Sequence, residues 1–149
     1  MASCRSQLLI EVYANSWTVI LKQNMLHSVS LKSFTNTVKC ILECKHHNRT
    51  HELVVVQDDK GKTTLHCASE SYRTDTVKCL LDFIPPEKIH KVLMVKDLEG
   101  WTPIQSDSAD IVKCMLDCVP KKRRYALLLL QDNDRKTGLH CASENCQQT

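Results

Sequence analysis

The chain has 149 residues, and 42% of them are apolar, which is enough to bury the core of one globular domain. Its 20 basic and 17 acidic residues leave a formal charge of only +3, which excludes a whole-molecule field that would steer the protein to nucleic acid or to an anionic membrane. The longest apolar run has six residues, 125–130, against the roughly 18 that a membrane-spanning helix needs, so a membrane span is excluded as well.

The first 18 residues are predicted to be a lead-in segment rather than a signal peptide. Leu8, Leu9 and Ile10 are apolar, but Glu11 interrupts the run and no small-residue cleavage site follows. Nine cysteines in a chain without a signal peptide are typical of a reducing compartment, where thiols stay free or bind metal. We therefore expect a cytoplasmic protein, with the nucleus as the alternative location.

Everything after residue 18 repeats itself. The sequence TTLHCASE at 63–70 returns as TGLHCASE at 137–144. The sequence TVKCLLD at 76–82 recurs as TVKCILE at 37–43 and as IVKCMLD at 111–117. Such self-similarity is the mark of a repeat array. We predict four units, at 19–57, 58–96, 97–131 and 132–149, of which the last is truncated after its first helix.

The first unit should have an irregular hairpin, because no Asp-x-x-Gly turn precedes His27. Its second helix is predicted from Val38, Ile41 and Leu42. Their i, i+3, i+4 spacing places three apolar side chains on one helix face, which must bury against a neighbour.

The second unit shows the complete pattern. Asp58 and Gly61 predict a tight turn, because Asp bonds backbone N–H groups and Gly is free to take a positive φ. Thr63 can accept a hydrogen bond from the free N–H groups of a following helix. We predict a turn, a first helix, a short turn and a second helix on which Val77 and Leu80 face a neighbour.

The third and fourth units depart from this pattern. In the third, Thr102 and Pro103 repeat the helix start. However, Gln105 replaces histidine and precedes Val112 by only seven residues, where the second unit has 11 between the equivalent positions. We expect a shortened first helix or a turn there. In the fourth unit Arg135 occupies the place of the turn glycine, so we expect a strained or reshaped tip.

Each of the first three units carries an insertion after its second helix, at 46–53, 85–92 and 120–127. Pro85 and Pro86 mark a helix start in the second of them, so we expect one short extra helix per repeat. Its apolar columns are Leu53/Val92/Leu127, Val54/Leu93/Leu128 and Val55/Met94/Leu129.

These features resemble the ankyrin repeat, whose pattern is Asp-x-x-Gly-x-Thr-Pro-Leu-His-x-Ala. The matching residues are Asp58, Gly61, Thr63, Leu65, His66 and Ala68, then Asp97, Gly100, Thr102 and Pro103. The resemblance covers about 19–149, and the lengthened units are similar to those of large invertebrate multi-ankyrin proteins. It implies an all-α solenoid with hairpin-like turns and a short extra helix in each repeat. It also implies that His66 and His140 are structural, each ring bonding to the threonine of its own unit and to the neighbouring turn.

The resemblance further implies a non-catalytic scaffold that binds another protein. In this architecture the hairpin tips and the ends of the first helices line a concave face, whose side chains the repeat core does not need. We expect Trp101 to anchor the partner because an exposed Trp offers a large apolar contact area; the alternative is that Trp101 folds back on its own hairpin. The candidate contact residues are Asp59, Lys60, Lys62, Glu70, Ser71, Leu98, Glu99, Trp101, Asn133, Asp134, Lys136 and Glu144.

No catalytic activity, cofactor or small-molecule substrate is expected. No nucleophile, base and orienting group recur at a spacing that would make a catalytic set. With only three glycines in the chain, there is also no phosphate-binding loop.

A first alternative function rests on Cys40, Cys44, His46 and His47. Thiolates and imidazoles one helical turn apart can converge on a tetrahedral ion, so a metal or redox protein is conceivable. The repeat favours core packing instead, because the cysteines recur in columns and one column accepts a phenylalanine. The columns are Cys40/Cys79/Cys114, Cys44/Phe83/Cys118 and Ser28/Cys67/Cys141.

A second alternative rests on the basic run Lys121-Lys122-Arg123-Arg124. It has the composition of a nuclear import signal or a phosphate-binding patch. The preceding unit does not repeat the positive charge, so a solvated helix face is the favoured interpretation, and nucleic acid is not an expected partner.

Overall fold

The structure is a computed structural model, and it describes residues 26–28, 30, 35–43 and 50–146. This part of the chain is helical and contains no strand, only an isolated antiparallel bridge between Gln131 and Thr137. The prediction of an all-α chain is confirmed for these residues. The helices are α1 (Thr35–Glu43), α2 (Thr50–Val55), α3 (Thr64–Glu70), α4 (Thr74–Asp82), α5 (Pro86–Leu93), α6 (Ala109–Asp117), α7 (Lys121–Leu128) and α8 (Gly138–Cys146). None of the helices in the described ranges has the length and apolarity needed to cross a membrane. The lead-in segment 1–18 lies outside the described residues.

Helix α4 lies at the centre of the packed helices. It contacts α3 of its own unit, α1 of the first unit and α6 of the third. Val77, Leu80 and Leu81 are buried, as their spacing predicts, and so are the corresponding Val38 and Leu42 of α1. Successive second helices therefore bury one another's apolar faces.

The three insertions each contain a short helix, α2, α5 and α7, as predicted. Their first apolar column, Leu53, Val92 and Leu127, is buried in the core. The third column turns outward, since Met94 and Leu129 are exposed. The insertion helices thus extend the core on one side and leave one apolar position at the surface in the second and third units, whereas the corresponding Val55 of the first unit is half-buried against the core.

Helix α3 ends in a Schellman motif. The N–H of Tyr72 donates to the carbonyl of Ser69 at 3.1 Å, and the N–H of Arg73 donates to the carbonyl of Ala68 at 3.4 Å. Tyr72 occupies the left-handed position of this motif, with φ 54°, where glycine is usual. A side chain at such a position is strained by about 1–2 kcal/mol.

The first helix of the third unit is replaced by a turn, which confirms the prediction of a shortened helix or a turn. The N–H of Gln105 donates to the carbonyl of Thr102 at 3.0 Å, and no helix forms between Thr102 and α6. Thr102 and Pro103 therefore begin a single turn rather than a helix. The physical reason is the seven-residue spacing to Val112, which is too short for a two-turn helix and the loop after it.

The hairpin tips of the last three units share one geometry. Asp58, Asp97 and Asp132 each accept two backbone N–H groups of their own turn at one carboxylate oxygen, at 2.8–3.0 Å. The residue that closes each turn has a positive φ: Gly61 at 73°, Gly100 at 82° and Arg135 at 63°. The prediction for the fourth tip is confirmed in its strained form, because Arg135 takes the left-handed conformation and the turn keeps its shape.

Adjacent tips are joined edge to edge. The N–H of Leu98 donates to the carbonyl of Lys60 at 3.0 Å, and the N–H of Asn133 donates to the carbonyl of Glu99 at 3.1 Å. The side-chain amide of Asn133 adds a bond to the carbonyl of Leu98 at 3.0 Å. The three tips thus form one continuous hydrogen-bonded row. The first hairpin lies outside the described residues.

The prediction that the cysteine columns pack in the core is wrong for two positions. Cys67 is buried, and Cys79 and Cys114 are half-buried against the core, but Cys40 and Cys118 are exposed. Cys40 lies two residues from each of the buried residues of α1, which is about 200° around a helix. Cys118 follows the last residue of α6. The side chains of Cys44 and Cys141 lie outside the described set.

Candidate partner-binding surface

The row of tips is held to the first helices by His66. The backbone N–H of Thr63 donates to Nδ1 of His66 at 3.1 Å, and Nε2 lies 3.0 Å from the carbonyl oxygen of Trp101 in the next unit. A backbone N–H only donates and a carbonyl only accepts, so this network requires the neutral ring with its proton on Nε2. His66 therefore links its own unit to the next tip, which confirms the structural role expected for it.

Gln105 makes the same bonds in the third unit. Its Oε1 accepts the N–H of Thr102 at 2.8 Å and the hydroxyl at 3.1 Å, and its Nε2 donates to the carbonyl of Lys136 at 3.3 Å. An amide offers one acceptor and one donor end, as the Nε2–H tautomer of histidine does. The glutamine thus preserves the link between units.

The histidines at the equivalent positions of the first and fourth units have corresponding contacts. Nε2 of His27 lies 3.0 Å from the carbonyl oxygen of Lys62, and Nδ1 of His140 accepts the N–H of Thr137 at 3.2 Å. In every unit the residue at this position therefore bonds to a threonine of its own unit, to the backbone of the next tip, or to both.

Burial lowers the pKa of His66 below its ordinary value. The hydrogen bond to the carbonyl of Trp101 and the charges of Asp97 and Glu70 act in the opposite direction but are smaller effects, and Lys62 adds to the lowering. The ring is therefore neutral near pH 7, as the hydrogen bonds require.

The predicted contact residues fall into two groups by exposure. Leu98 is 72% exposed at the third tip. The whole first group is exposed, namely Asp59, Lys60, Glu70, Leu98, Glu99, Asn133, Asp134 and Glu144. The second group is half-buried, namely Lys62, Ser71, Trp101 and Lys136.

Two lysines of the second group form ion pairs. Lys62 pairs with Glu70, and Lys136 pairs with Glu144 at 2.8 Å. In both units the lysine of the tip and the glutamate of the first helix are eight residues apart. Burial alone would lower the pKa of Lys62, but the hydrogen bond and charge of Glu70, with the charge of Asp97, raise it above its ordinary value. Lys62 thus stays cationic within a field set by carboxylates.

The third unit has no such pair, because two changes coincide. Trp101 stands at the position of Lys62 and Lys136, and the shorter spacing removes the position of Glu70 and Glu144. A lysine kept here would have lost its carboxylate partner.

A cleft of about 260 Å³ opens where the first helix of the third unit is missing. It lies between the end of α3 and the third hairpin. Trp101 and Tyr72 are its aromatic residues, and Trp101 is half-buried in its wall rather than fully exposed. The carboxylates along it are Glu70, Asp97, Glu99 and Asp107.

Only part of this cleft was predicted from the sequence. The structure brings together the predicted contact residues Trp101, Glu99 and Glu70 and adds Tyr72 and Asp107, which were not predicted. The hydroxyl of Tyr72 donates to a carboxylate oxygen of Asp107 at 3.4 Å across the cleft. The four-residue deletion was the available signal, because removing a helix from a packed row leaves a gap.

A second cavity of about 400 Å³ is more apolar. It lies beside α8, where Val112, Leu116 and Leu128 line it and Leu139 is 65% exposed. Leu26, Leu65 and Ile104 are the equivalents of Leu139 and are all buried. None of the predicted contact residues lines this cavity.

The structure gives no support to a thiol site in the described ranges. Within them, no group of three or more His, Cys, Asp or Glu side chains is arranged to hold a metal ion. Burial raises the pKa of Cys67 to about 12 and is the first cause of the raised pKa of Cys79, Cys114 and Cys118. Of the proposed ligand set, Cys44, His46 and His47 lie outside the described residues.

The basic run forms the first turn of α7. Lys121, Lys122 and Arg123 are exposed, and Arg124 is half-buried with its Nε donating to the carbonyl of Val119 at 2.9 Å. Four positive residues at a helix N-terminus oppose the helix dipole. Most of the run is therefore a solvated helix end.

A comparison of the chain with protein-family models finds no match, and a comparison with curated proteins finds none either.

Proposed function

We propose that the chain is an ankyrin-type repeat module without catalytic activity, which binds another protein through its hairpin tips and the ends of its first helices. The observation that carries this proposal is the exposed row of tips. Leu98 is a large apolar side chain that is 72% exposed. The hydrogen bonds of its turn are made by backbone groups and by Asp97, so the fold of the turn does not require the Leu98 side chain.

Rigidity of the same surface supports the proposal. The tips are fixed by the Asp turns, by backbone bonds from tip to tip and by the His66 and Gln105 links. A surface that is ordered before binding loses little conformational entropy when a partner arrives. Varied side chains on such a frame suit recognition of one protein.

Site-specific photo-crosslinking would test the proposal. A photoreactive phenylalanine analogue replaces Leu98 on the third tip or, in a matched control, Tyr125 on α7, which is 71% exposed. Both chains are irradiated in a cell extract after circular dichroism shows equal helix content. We expect a discrete crosslinked protein from the chain labelled at position 98 and none from the control.

Two outcomes would contradict the proposal. Equal crosslinking of one protein from both positions would show that the contact is not specific to the row of tips. Turnover of a substrate by the purified chain, abolished by a substitution in the cleft, would indicate an enzyme instead.

A further inference from the structure

We propose that the cleft between α3 and the third hairpin binds an arginine side chain from an extended segment of the partner protein. The inference rests on the proposed function and adds the chemistry of the contact. In this role Trp101 supplies the stacking surface, and Glu99 and Asp107 supply the negative charge.

The size of the cleft fits one side chain. Its volume of about 260 Å³ lies below the roughly 300–1,000 Å³ of pockets that hold a drug-sized molecule. It is open to solvent along the tips, so a side chain can enter while its backbone stays outside. An extended segment laid along the row of tips meets this requirement.

The charge and the aromatic rings select a cation. Of the four carboxylates that line the cleft, Glu70 is paired with Lys62 and Asp97 accepts N–H groups of its own turn, which leaves Glu99 and Asp107 to attract a cation. Trp101 and Tyr72 are the aromatic residues that line the cleft, and among aromatic rings that of Trp attracts cations most strongly. A planar guanidinium can stack on Trp101 while its N–H groups reach the carboxylates, which the ammonium of lysine does less well.

Two features of the cleft are unexplained by folding alone. The hydroxyl of Ser69 is buried in a residue that is 5% exposed, and it has no hydrogen-bond partner in the part of the chain that the structure describes. Ser69 lines the cleft, so a guanidinium N–H is a suitable donor to this oxygen. Tyr72 keeps a left-handed backbone that glycine would adopt without strain, and it places a ring, 60% exposed, beside Asp107.

Titration of the full-length chain by NMR would test the inference. The probe is the pentapeptide Ac-Ala-Ala-Arg-Ala-Ala-NH2, and its control replaces arginine with citrulline, a neutral isostere. The reporter is the indole N–H of Trp101, which Trp17→Phe leaves as the remaining tryptophan signal. We expect the arginine peptide to shift this signal with a dissociation constant on the order of 1 mM, weakening with added salt, and the citrulline peptide to leave it in place.

Charge variants separate local from general attraction. Glu99→Gln with Asp107→Asn should weaken binding of the arginine peptide roughly fivefold, as expected for two solvent-accessible ion pairs. Glu87→Gln with Asp82→Asn removes the same two charges at exposed positions outside the cleft and should change binding by less than about twofold. Both double variants are checked by circular dichroism for unchanged helix content.

The inference is overturned if both peptides shift the Trp101 signal alike, if neither shifts it, or if the two double variants weaken binding equally. These results are independent of the crosslinking result at Leu98. A crosslinked partner without arginine selectivity would support the binding module and contradict the arginine cleft. Arginine selectivity without a crosslinked partner would support the arginine cleft and contradict the partner contact at Leu98.

Discussion

His66 and Gln105 hold equivalent positions in successive units and make equivalent bonds, but only one of them titrates. Protonation of His66 would place a hydrogen on Nδ1, where the ring accepts the N–H of Thr63. The lowered pKa of His66 means that the folded chain takes up this proton at lower pH than the unfolded chain, whose histidine titrates near pH 6.5. The contribution of His66 to stability is therefore complete above pH 6.5 and is lost as the pH falls from there through the folded pKa.

Exchanging the two residues should move this pH dependence from one unit to the other. We expect His66→Gln to reduce the loss of stability between about pH 7 and about pH 5, and Gln105→His to increase it. At neutral pH His66→Gln should change the free energy of unfolding by less than about 1 kcal/mol, because the amide replaces both hydrogen bonds. Urea unfolding at the two pH values measures both effects. An unchanged pH dependence in His66→Gln would show that other groups cause the acid sensitivity.

All three equivalent turn positions have a left-handed backbone, and Arg135 is the one among them that is not glycine. Its side chain makes this conformation strained. We expect Arg135→Gly to stabilise the chain by up to about 1 kcal/mol, since relief of the strain outweighs the extra freedom of glycine in the unfolded state. Gly100→Ala is the opposite change, and it should destabilise by more than about 1 kcal/mol. A Cβ at Gly100 would lie 2.7 Å from the backbone nitrogen of Asn133 in the next tip.

Thermal unfolding of the two variants checks this prediction. A third variant, Gly138→Ala, serves as the control for loss of a glycine in itself, because a Cβ there meets nothing closer than 3.6 Å. Destabilisation by Arg135→Gly would mean that the arginine side chain makes a compensating contact.

At the scale of elements, the helices and turns could be predicted because each follows from local chemistry. The apolar spacing of α1 and α4 and the Asp-x-x-Gly turns depend on residues close in the sequence. The exposure of Cys40 was mispredicted because recurrence in a column says nothing about which helix side the column occupies.

The cleft was only half predictable for a different reason. Tyr72 and Asp107 are 35 residues apart and meet across a gap between units. The sequence indicates that a helix is missing from the third unit, but it does not indicate which neighbouring side chains turn toward the gap.

The end of α3 couples stability to the proposed site. We expect Tyr72→Gly to raise the free energy of unfolding by up to about 1 kcal/mol, because glycine is the favoured residue at the left-handed position of a Schellman motif. The same variant should bind the arginine peptide more weakly, since one aromatic face of the cleft is removed. Chemical unfolding and the Trp101 titration give the two results separately. A variant that is less stable than the wild type would show that Tyr72 supports the fold and is not retained for the cleft.

At the scale of the whole molecule, packing is uneven along the array. Helix α4 contacts α1, α3 and α6 and buries Val77, Leu80 and Leu81, whereas His140 and Glu144 of α8 are exposed. The exposed Leu139 and the apolar cavity beside it mark the same difference. In a repeat array each unit is stabilised mainly by its immediate neighbours, so units with fewer neighbours open more readily.

Hydrogen exchange should therefore show a gradient rather than one cooperative unit. We expect the amides of Leu80 and Leu81 in α4 to exchange slowest, close to the global unfolding limit, and the amides of α8 to exchange at least about tenfold faster. Mild denaturant should accelerate the amides of α4 more steeply, since their exchange exposes more surface. Mass spectrometry of peptides that cover the two helices measures both rates in one sample. Equal protection of α4 and α8 would mean that α8 is packed as tightly as α4 in solution.

The row of tips spans this gradient from the second unit to the fourth. A partner that contacts all three tips should therefore slow exchange most in α8, which is the least stable of these helices in the unbound chain.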